Sequence, residues 1–509
     1  MDLETTKCKL TTTKKIYEKK SEYPIDCEFT LPDYCPDIER ILKCNVTPRI
    51  SNLSVLSDSA QVEISSNVCI LYVTSDDKLF GYEMPINISK TINVGAIEKE
   101  TIKSYNTKTE YVNCRAVNNR KIDVHGSISV FLKLLTTDEK NYISDINDNS
   151  VVLKKLNEKV LEPCAFAEKQ VNVADDIVLS QSSGSISNII RQDTKVVIDE
   201  CKTITNKAIV KLTLMYEILY LSSDLRYECI RHSVPVNQVI DIEGTDENSI
   251  CVAKTEVCSV SLKPITNSEG EMRTINSNAK INICVTSNNY NEISLVTDGY
   301  CVKFESEVQR DIIECNKFVD LINENINISD CINVSSQISE IIDLNCIPLH
   351  FSCKTENDIT YIHGDIAICI SLEDENGSCK YYEKVITFSE KISSKACDEQ
   401  CIYELILTPI NCSYNISSGN AVDFKCEINV NGLITKPCKL NAVSKLTIDE
   451  EKEKSFDDMP SLVVYYGTKG ESIWDIALKY NTSAELLCEA NNINDEKLSE
   501  NTMLLIPCM

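Results

Sequence analysis

Several residue types and motifs are scarce in this chain of 509 residues, and each scarcity removes a class of function. There are only four histidines, His125, His232, His350 and His363. Nucleophilic catalysis needs a base beside Ser or Cys, and four scattered imidazoles leave little choice. His125-Gly126 and His363-Gly364 both fall inside alternating segments, on the face opposite the apolar set, and read as surface strand residues. No Gly-rich phosphate loop or dinucleotide turn occurs, and no acidic pair sits in a glycosidase-like context. The expectation is a chain that is not an enzyme and has no catalytic residues, cofactor or metal site. Thirteen Gly and thirteen Pro are too few for a flexible or fibrous scaffold. No segment approaches 18 consecutive apolar residues, so no membrane span is expected. Residues 1–20 lack the apolar core of a secretory signal, which predicts a chain that stays in the cytosol.

What is present is an ordinary globular balance, with 43% hydrophobic and 25% charged residues, on a chain long enough for three or four domains. The net charge of −26 repels phosphate backbones and anionic headgroups, which argues against nucleic acid and membrane surfaces as partners. Acidity then serves solubility, or docking onto a basic protein. Cysteine is abundant, at 26 residues. No CxxC pair occurs; the closest is Cys397 and Cys401, in CDEQC, and the spacings offer no four-cysteine zinc site. These cysteines read as small apolar core residues in a reducing compartment, or as thiols oxidised later, when an assembly meets air.

An internal repeat near 150 residues organises the chain. Ile41-Leu42, Ile189-Ile190 and Ile341-Ile342 recur at steps of 148 and 152 residues. Each is followed by an alternating strand: Val62, Ile64, Val68, Ile70 and Tyr72 on one face, then Val210 to Tyr220, then Ile362 to Leu372. A second ribbon follows in every unit, through Ile128, Val130, Leu132 and Leu134, through Ala279, Ile281, Ile283 and Val285, and through Val422 to Val430. Turn signals such as Thr205-Asn206-Lys207 and Glu375-Asn376-Gly377 separate the strands. Each unit is expected to be an antiparallel β module with a short helical turn at its anchor, for example Pro36 to Leu42. The expected divisions are 1–165, 166–308 and 309–448, a charged linker over 449–460, and a last domain over 461–509.

In that last segment Val463 to Tyr465 suggest a strand, and Ser472 caps a helix whose stripe is Ile473, Ile476, Ala477 and Tyr480. Thr482 to Cys488 suggest a second helix and Met503 to Ile506 a closing strand. With Tyr465, Gly470-Glu471-Ser472-Ile473-Trp474, Ile476-Ala477, Asn491 and Leu505-Ile506-Pro507, this β-α-α-β pattern closely resembles the LysM domain. Gly467 stands where that family usually has an apolar β-branched residue, so the first strand is expected to end early. The resemblance implies a groove between two loops, with Lys469, Gly470, Glu471, Ser472, Ile473, Trp474, Asn491, Asn492 and Ile493 as candidate partner-binding residues. Trp474 reads equally as core beneath the groove, Asn491 as a loop anchor, and Gly470 as a positive-φ position.

Upstream, Leu31-Pro32-Asp33-Tyr34-Cys35-Pro36-Asp37-Ile38, Ile41-Leu42, Leu71-Tyr72 and Arg120-Lys121-Ile122 resemble the SPOCS module of sporulation proteins. The fold class expected is therefore mainly β, three tandem antiparallel SPOCS-like modules followed by a small LysM domain. The whole pattern is similar to the SipL-like family of clostridial spore-coat morphogenesis proteins. That resemblance implies a non-enzymatic adaptor in the mother-cell cytosol at the forespore surface. Its LysM domain would bind the SpoIVA coat ATPase, with other coat proteins or a second copy as further partners. The alternative is a peptidoglycan-binding protein that recognises N-acetylglucosamine chains of the cortex or wall.

Overall fold

The computed structural model describes residues 4–97, 101–267, 269–357, 359–395, 397–454 and 463–507. Its first 18 strands form three units of six. The first unit holds β1 (Thr5–Thr30), β2 (Arg40–Val55), β3 (Ser59–Val73), β4 (Leu79–Asn93), β5 (Thr101–Ala116) and β6 (Lys121–Ile146). The second holds β7 (Val151–Val178), β8 (Ile186–Ile204), β9 (Lys207–Ser222), β10 (Tyr227–Asp241), β11 (Ile250–Thr266) and β12 (Met272–Cys301). The third holds β13 (Phe304–Asn333), β14 (Ile338–Glu356), β15 (Ile359–Asp374), β16 (Cys379–Ile392), β17 (Ile402–Ser418) and β18 (Ala421–Glu453).

Each unit builds two antiparallel sheets. Strands two, three and four pair as β2-β3-β4, β8-β9-β10 and β14-β15-β16. The other three pair as β1-β6-β5, and as two ribbons joined at Asn316 and Leu161 into β11-β12-β7-β13-β18-β17. The alternation visible in the sequence is the cause: Val62, Ile64, Val68, Ile70 and Tyr72 on β3 are buried, and so are Ile128, Val130, Leu132 and Leu134 on β6. Facing each other, they form the core of the first unit. The second and third units repeat that core with their own strands. The hydroxyls of Tyr72 and Tyr220, one repeat apart, reach the carbonyls of Pro36 and Gly184, at 3.2 and 3.4 Å.

The repeat also has a common centre. Leu42, Ile190 and Ile342, one repeat step apart, pack together with Leu79, Tyr227 and Cys379, which are related in the same way. The backbone N–H of Leu79 donates to the Tyr227 hydroxyl at 2.8 Å, and that hydroxyl lies 3.7 Å from Cys379 Sγ. Beside this centre the equivalent positions Arg191 and Asp343 form a two-point ion pair, at 2.7 and 3.0 Å. Glycine is required where the first unit meets the second, since a Cβ on Gly81 would lie 1.9 Å from the Ile190 carbonyl oxygen.

Three sequence expectations need correction. The divisions at 165/166 and 308/309 fall inside β7 and β13, which run unbroken, so six-strand units divide near 147–150 and 302–303. The isoleucine anchors mark the second strand of a unit, which displaces boundaries placed relative to them. Pro36 to Leu42 is not helical: a turn leads into β2, and Arg120 holds it by donating to the carbonyls of Leu31, Pro32 and Cys35. Finally, the linker expected from residue 449 begins later. Asp449 and Glu453 still pair with Glu305 and Phe304, because an edge of β13 supplies backbone partners whatever the side-chain charge. Residues 455–460 of that linker lie outside the described residues.

Candidate partner-binding site

The C-terminal domain comprises β19 (Val463–Gly467), α1 (Ile473–Lys479), α2 (Ala484–Asn491) and β20 (Thr502–Ile506). Both helices start on serine caps: Ser472 Oγ accepts from the Asp475 N–H at 3.4 Å, and Ser483 Oγ from that of Leu486 at 3.1 Å. The apolar stripe of α1, Ile473, Ile476 and Ala477, packs against Leu487, Leu498, Leu504 and Ile506, giving this domain its own core. The first strand does not end early. It runs through Gly467, which pairs with Thr502, and a Cβ there would lie 2.3 Å from Leu498 Cδ1. A leucine from the loop before β20 fills the space that a larger residue would need.

The loop from Lys469 to Trp474, expected to frame one side of a groove, is stitched to the segment just after the other loop, Asn491 to Asp495. The backbone N–H groups of Gly470, Ile473 and Leu498 donate to the carbonyls of Leu498, Glu496 and Glu471, at 2.8, 3.0 and 2.9 Å. Lys469 is exposed, and its N–H donates to Asn501 Oδ1 at 2.8 Å. Gly470 has φ of 91°, the conformation the turn requires. The Glu471 carboxylate accepts from the Thr468 N–H at 3.0 Å and the Tyr465 hydroxyl at 3.2 Å, and the Thr468 bond holds its pKa below the usual range. Ser472 is spent as a cap and Ile473 as core. Asn491 anchors β20: its amide donates to the carbonyls of Leu487 and Leu505, both at 2.8 Å, and accepts from the Leu505 N–H at 2.7 Å. Asn492 is an exposed left-handed helix cap, and Ile493 packs on the core. Of the nine candidates, Lys469, Gly470 and Asn492 lie open to solvent.

Trp474 has a different place from either one expected. It is 7% exposed, yet its partners are Tyr300 and Val302, at the end of β12 and just beyond it. The indole meets the Tyr300 ring edge-on at 5.3 Å, and its N–H donates to Asp298 Oδ2 at 3.0 Å. The α1–α2 turn completes the joint. The Tyr300 hydroxyl donates to the Thr482 carbonyl, Asn481 Nδ2 donates to the Val302 carbonyl at 2.5 Å, and Lys454 Nζ reaches Asn481 Oδ1 at 3.0 Å.

One surface lies outside the expected site. Val464, Tyr466, Met503 and Leu505 form the outer face of the antiparallel β19–β20 pair, as two cross-strand pairs, and are 43%, 75%, 56% and 39% exposed. The signal was in VVYYG and TMLLI, where both alternating faces are apolar although only one can face the core.

Elsewhere, His125 bridges two carboxylates on the exposed face of β1 and β6. One ring nitrogen lies 3.2 Å from Asp26 and the other 3.1 Å from Asp123, so both are engaged. His363 stacks on Tyr361 at 6.0 Å. Neither histidine has a hydrogen-bonded nucleophile beside it among the described residues.

Comparison with known proteins agrees with this architecture. The SipL SPOCS-domain family model matches residues 37–129 and 185–265, from ahead of β2 into β6 and from ahead of β8 into β11. The LysM-domain family model matches residues 468–507. No curated protein and no solved structure matches. The third unit lies outside the matched residues but repeats the same six-strand order. The chain thus joins SPOCS domains of the SipL type to a C-terminal LysM domain, a combination that fits a sporulation-related protein.

Proposed function

We propose that this protein is a non-enzymatic adaptor of spore-coat assembly whose LysM domain binds the SpoIVA coat ATPase at the forespore surface in the mother-cell cytosol. The observation that carries the reading is the outer face of the LysM strand pair. Four contiguous exposed apolar side chains, one of them a tyrosine, suit a dry protein contact. Of the polar candidates, Glu471, Ser472 and Asn491 are spent on bonds within the domain, which leaves Lys469 and Asn492 to grip a sugar. The three β units supply a broad acidic body on which other coat proteins or a second copy can assemble. The test is binding of the purified full chain to SpoIVA. Tyr466→Asp should weaken it by at least about 2 kcal/mol, the level of an interface hot spot, without changing the melting temperature. Unchanged affinity would remove the outer face of β19 and β20 from the reading.

A second reading, recognition of N-acetylglucosamine chains, is favoured by the LysM match itself. Sedimentation of the same chain with insoluble peptidoglycan separates the two. Co-sedimentation that free N-acetylglucosamine oligomers compete away would support the glycan reading.

A further inference from the structure

In every unit, the second and fifth strands are edges of different sheets: β2 and β5, β8 and β11, β14 and β17. Each pair packs side by side along a seam that closes the unit, with no backbone ladder across it. Cysteines meet on the seam of the second unit, where Cys201 Sγ on β8 lies 2.7 Å from Cys251 Sγ on β11.

We propose that the second unit carries a disulfide-forming site on this seam, pairing Cys201 with Cys251, with a low-molecular-weight disulfide as the oxidant. A bond of about 2.05 Å needs an approach of less than about 1 Å from the contact in the second unit. The chemistry is two exchanges. One protein thiolate attacks the small disulfide, releases one small thiol and leaves a mixed disulfide. The second cysteine sulfur then displaces the other half as a second small thiol. Two electrons and two protons leave the protein on those two products.

The bond would add what the seam lacks, a covalent tie between two sheets. Cys315 and Cys438, 2.9 Å apart, differ in this respect, since they face each other on the already paired β13 and β18. Access sets the order of attack: Cys201 is half-buried and Cys251 buried, so the small disulfide meets Cys201 first.

The experiment uses the reduced full chain incubated with oxidised glutathione, followed by alkylation of remaining thiols and non-reducing peptide mapping. The expected result is a linked peptide for Cys201–Cys251, with a rising melting temperature. Cys201→Ala should remove the link and lower that rise. Should that variant fail to fold, the map of the unsubstituted chain decides. Recovery of both cysteines as alkylated thiols, or as glutathione adducts without the link, would overturn the proposal.

Discussion

The indole N–H of Trp474 donates to the carboxylate of Asp298, 176 residues earlier, so the only tryptophan of the chain fastens the LysM domain to the end of the second unit. A large aromatic on a small domain would ordinarily be assigned to that domain's core or to its ligand. Here the domain has a complete core without it, and the ring is buried by Tyr300 and Val302. The LysM domain is therefore presented in one orientation, with Trp474 of α1 turned toward the second unit and the outer face of β19 and β20 left open.

Tryptophan fluorescence reads this joint directly. The full chain should emit at short wavelength, and residues 463–507 alone at long wavelength. Asp298→Ala removes a hydrogen bond to a charged group, worth about 1.5–3 kcal/mol, and should shift full-chain emission to the red. Identical emission from the full chain and the fragment would show that the joint does not hold in solution.

At the common centre, Asp343→Ala should be among the most damaging substitutions in the three units. It leaves Arg191 without its two-point partner where both side chains are largely enclosed, at 21% and 9% exposed. Breaking such a pair from one side costs about 3–5 kcal/mol. Denaturant unfolding of the variant against the parent checks it, and a loss below about 1 kcal/mol would mean that water reaches the guanidinium.

Gly467→Ala tests the LysM core without touching its surface. The added methyl collides with Leu498, so the strand pair or the loop must move, at a cost of about 1–3 kcal/mol. Circular dichroism melting of the isolated domain would register the loss. In a Leu498→Ala background the same change should cost less, because the collision is relieved; an equal cost in both backgrounds would mean that Leu498 is not what it meets.

Glu256, on β11, has its pKa raised from 4.5 to about 7, because burial disfavours the charged carboxylate more than Arg49 favours it. The folded chain thus keeps a proton here that the unfolded chain releases. This group's stabilising contribution is fully present below about pH 4.5 and is lost as pH rises through about 7. Glu256→Gln keeps the neutral form at every pH, so the stability difference between variant and parent should grow in favour of the variant from pH 5 to pH 8. A difference independent of pH would mean that the carboxylate is already ionised at pH 5.

Much of the β architecture was legible because period-two alternation survives in each central strand: every apolar residue named on β3, β9 and β15 is buried. The LysM elements were legible from their caps and stripe, with Ser472 and Gly470 in the roles their residue types suggest. Unit boundaries were not, because the longest strands, β7, β12, β13 and β18, cross polar and charged stretches that pair through backbone alone. Nor was the place of Trp474, since its partners Asp298 and Tyr300 are remote in sequence and carry no local signal. The outer face of β19 and β20 was written in VVYYG and TMLLI, but strands apolar on both faces do not show which face the core takes.

The central claim, that the LysM domain is what recruits this protein to the coat ATPase, is tested most directly by measuring the affinity of SpoIVA for the full chain and for a chain ending at Lys454. That end preserves β18 and its pairing with β13. The account predicts loss of binding on truncation while the three β units keep their melting temperature, and no competition by N-acetylglucosamine oligomers against the full chain. Full affinity in the truncated chain, or displacement of SpoIVA by the oligomers, would contradict it.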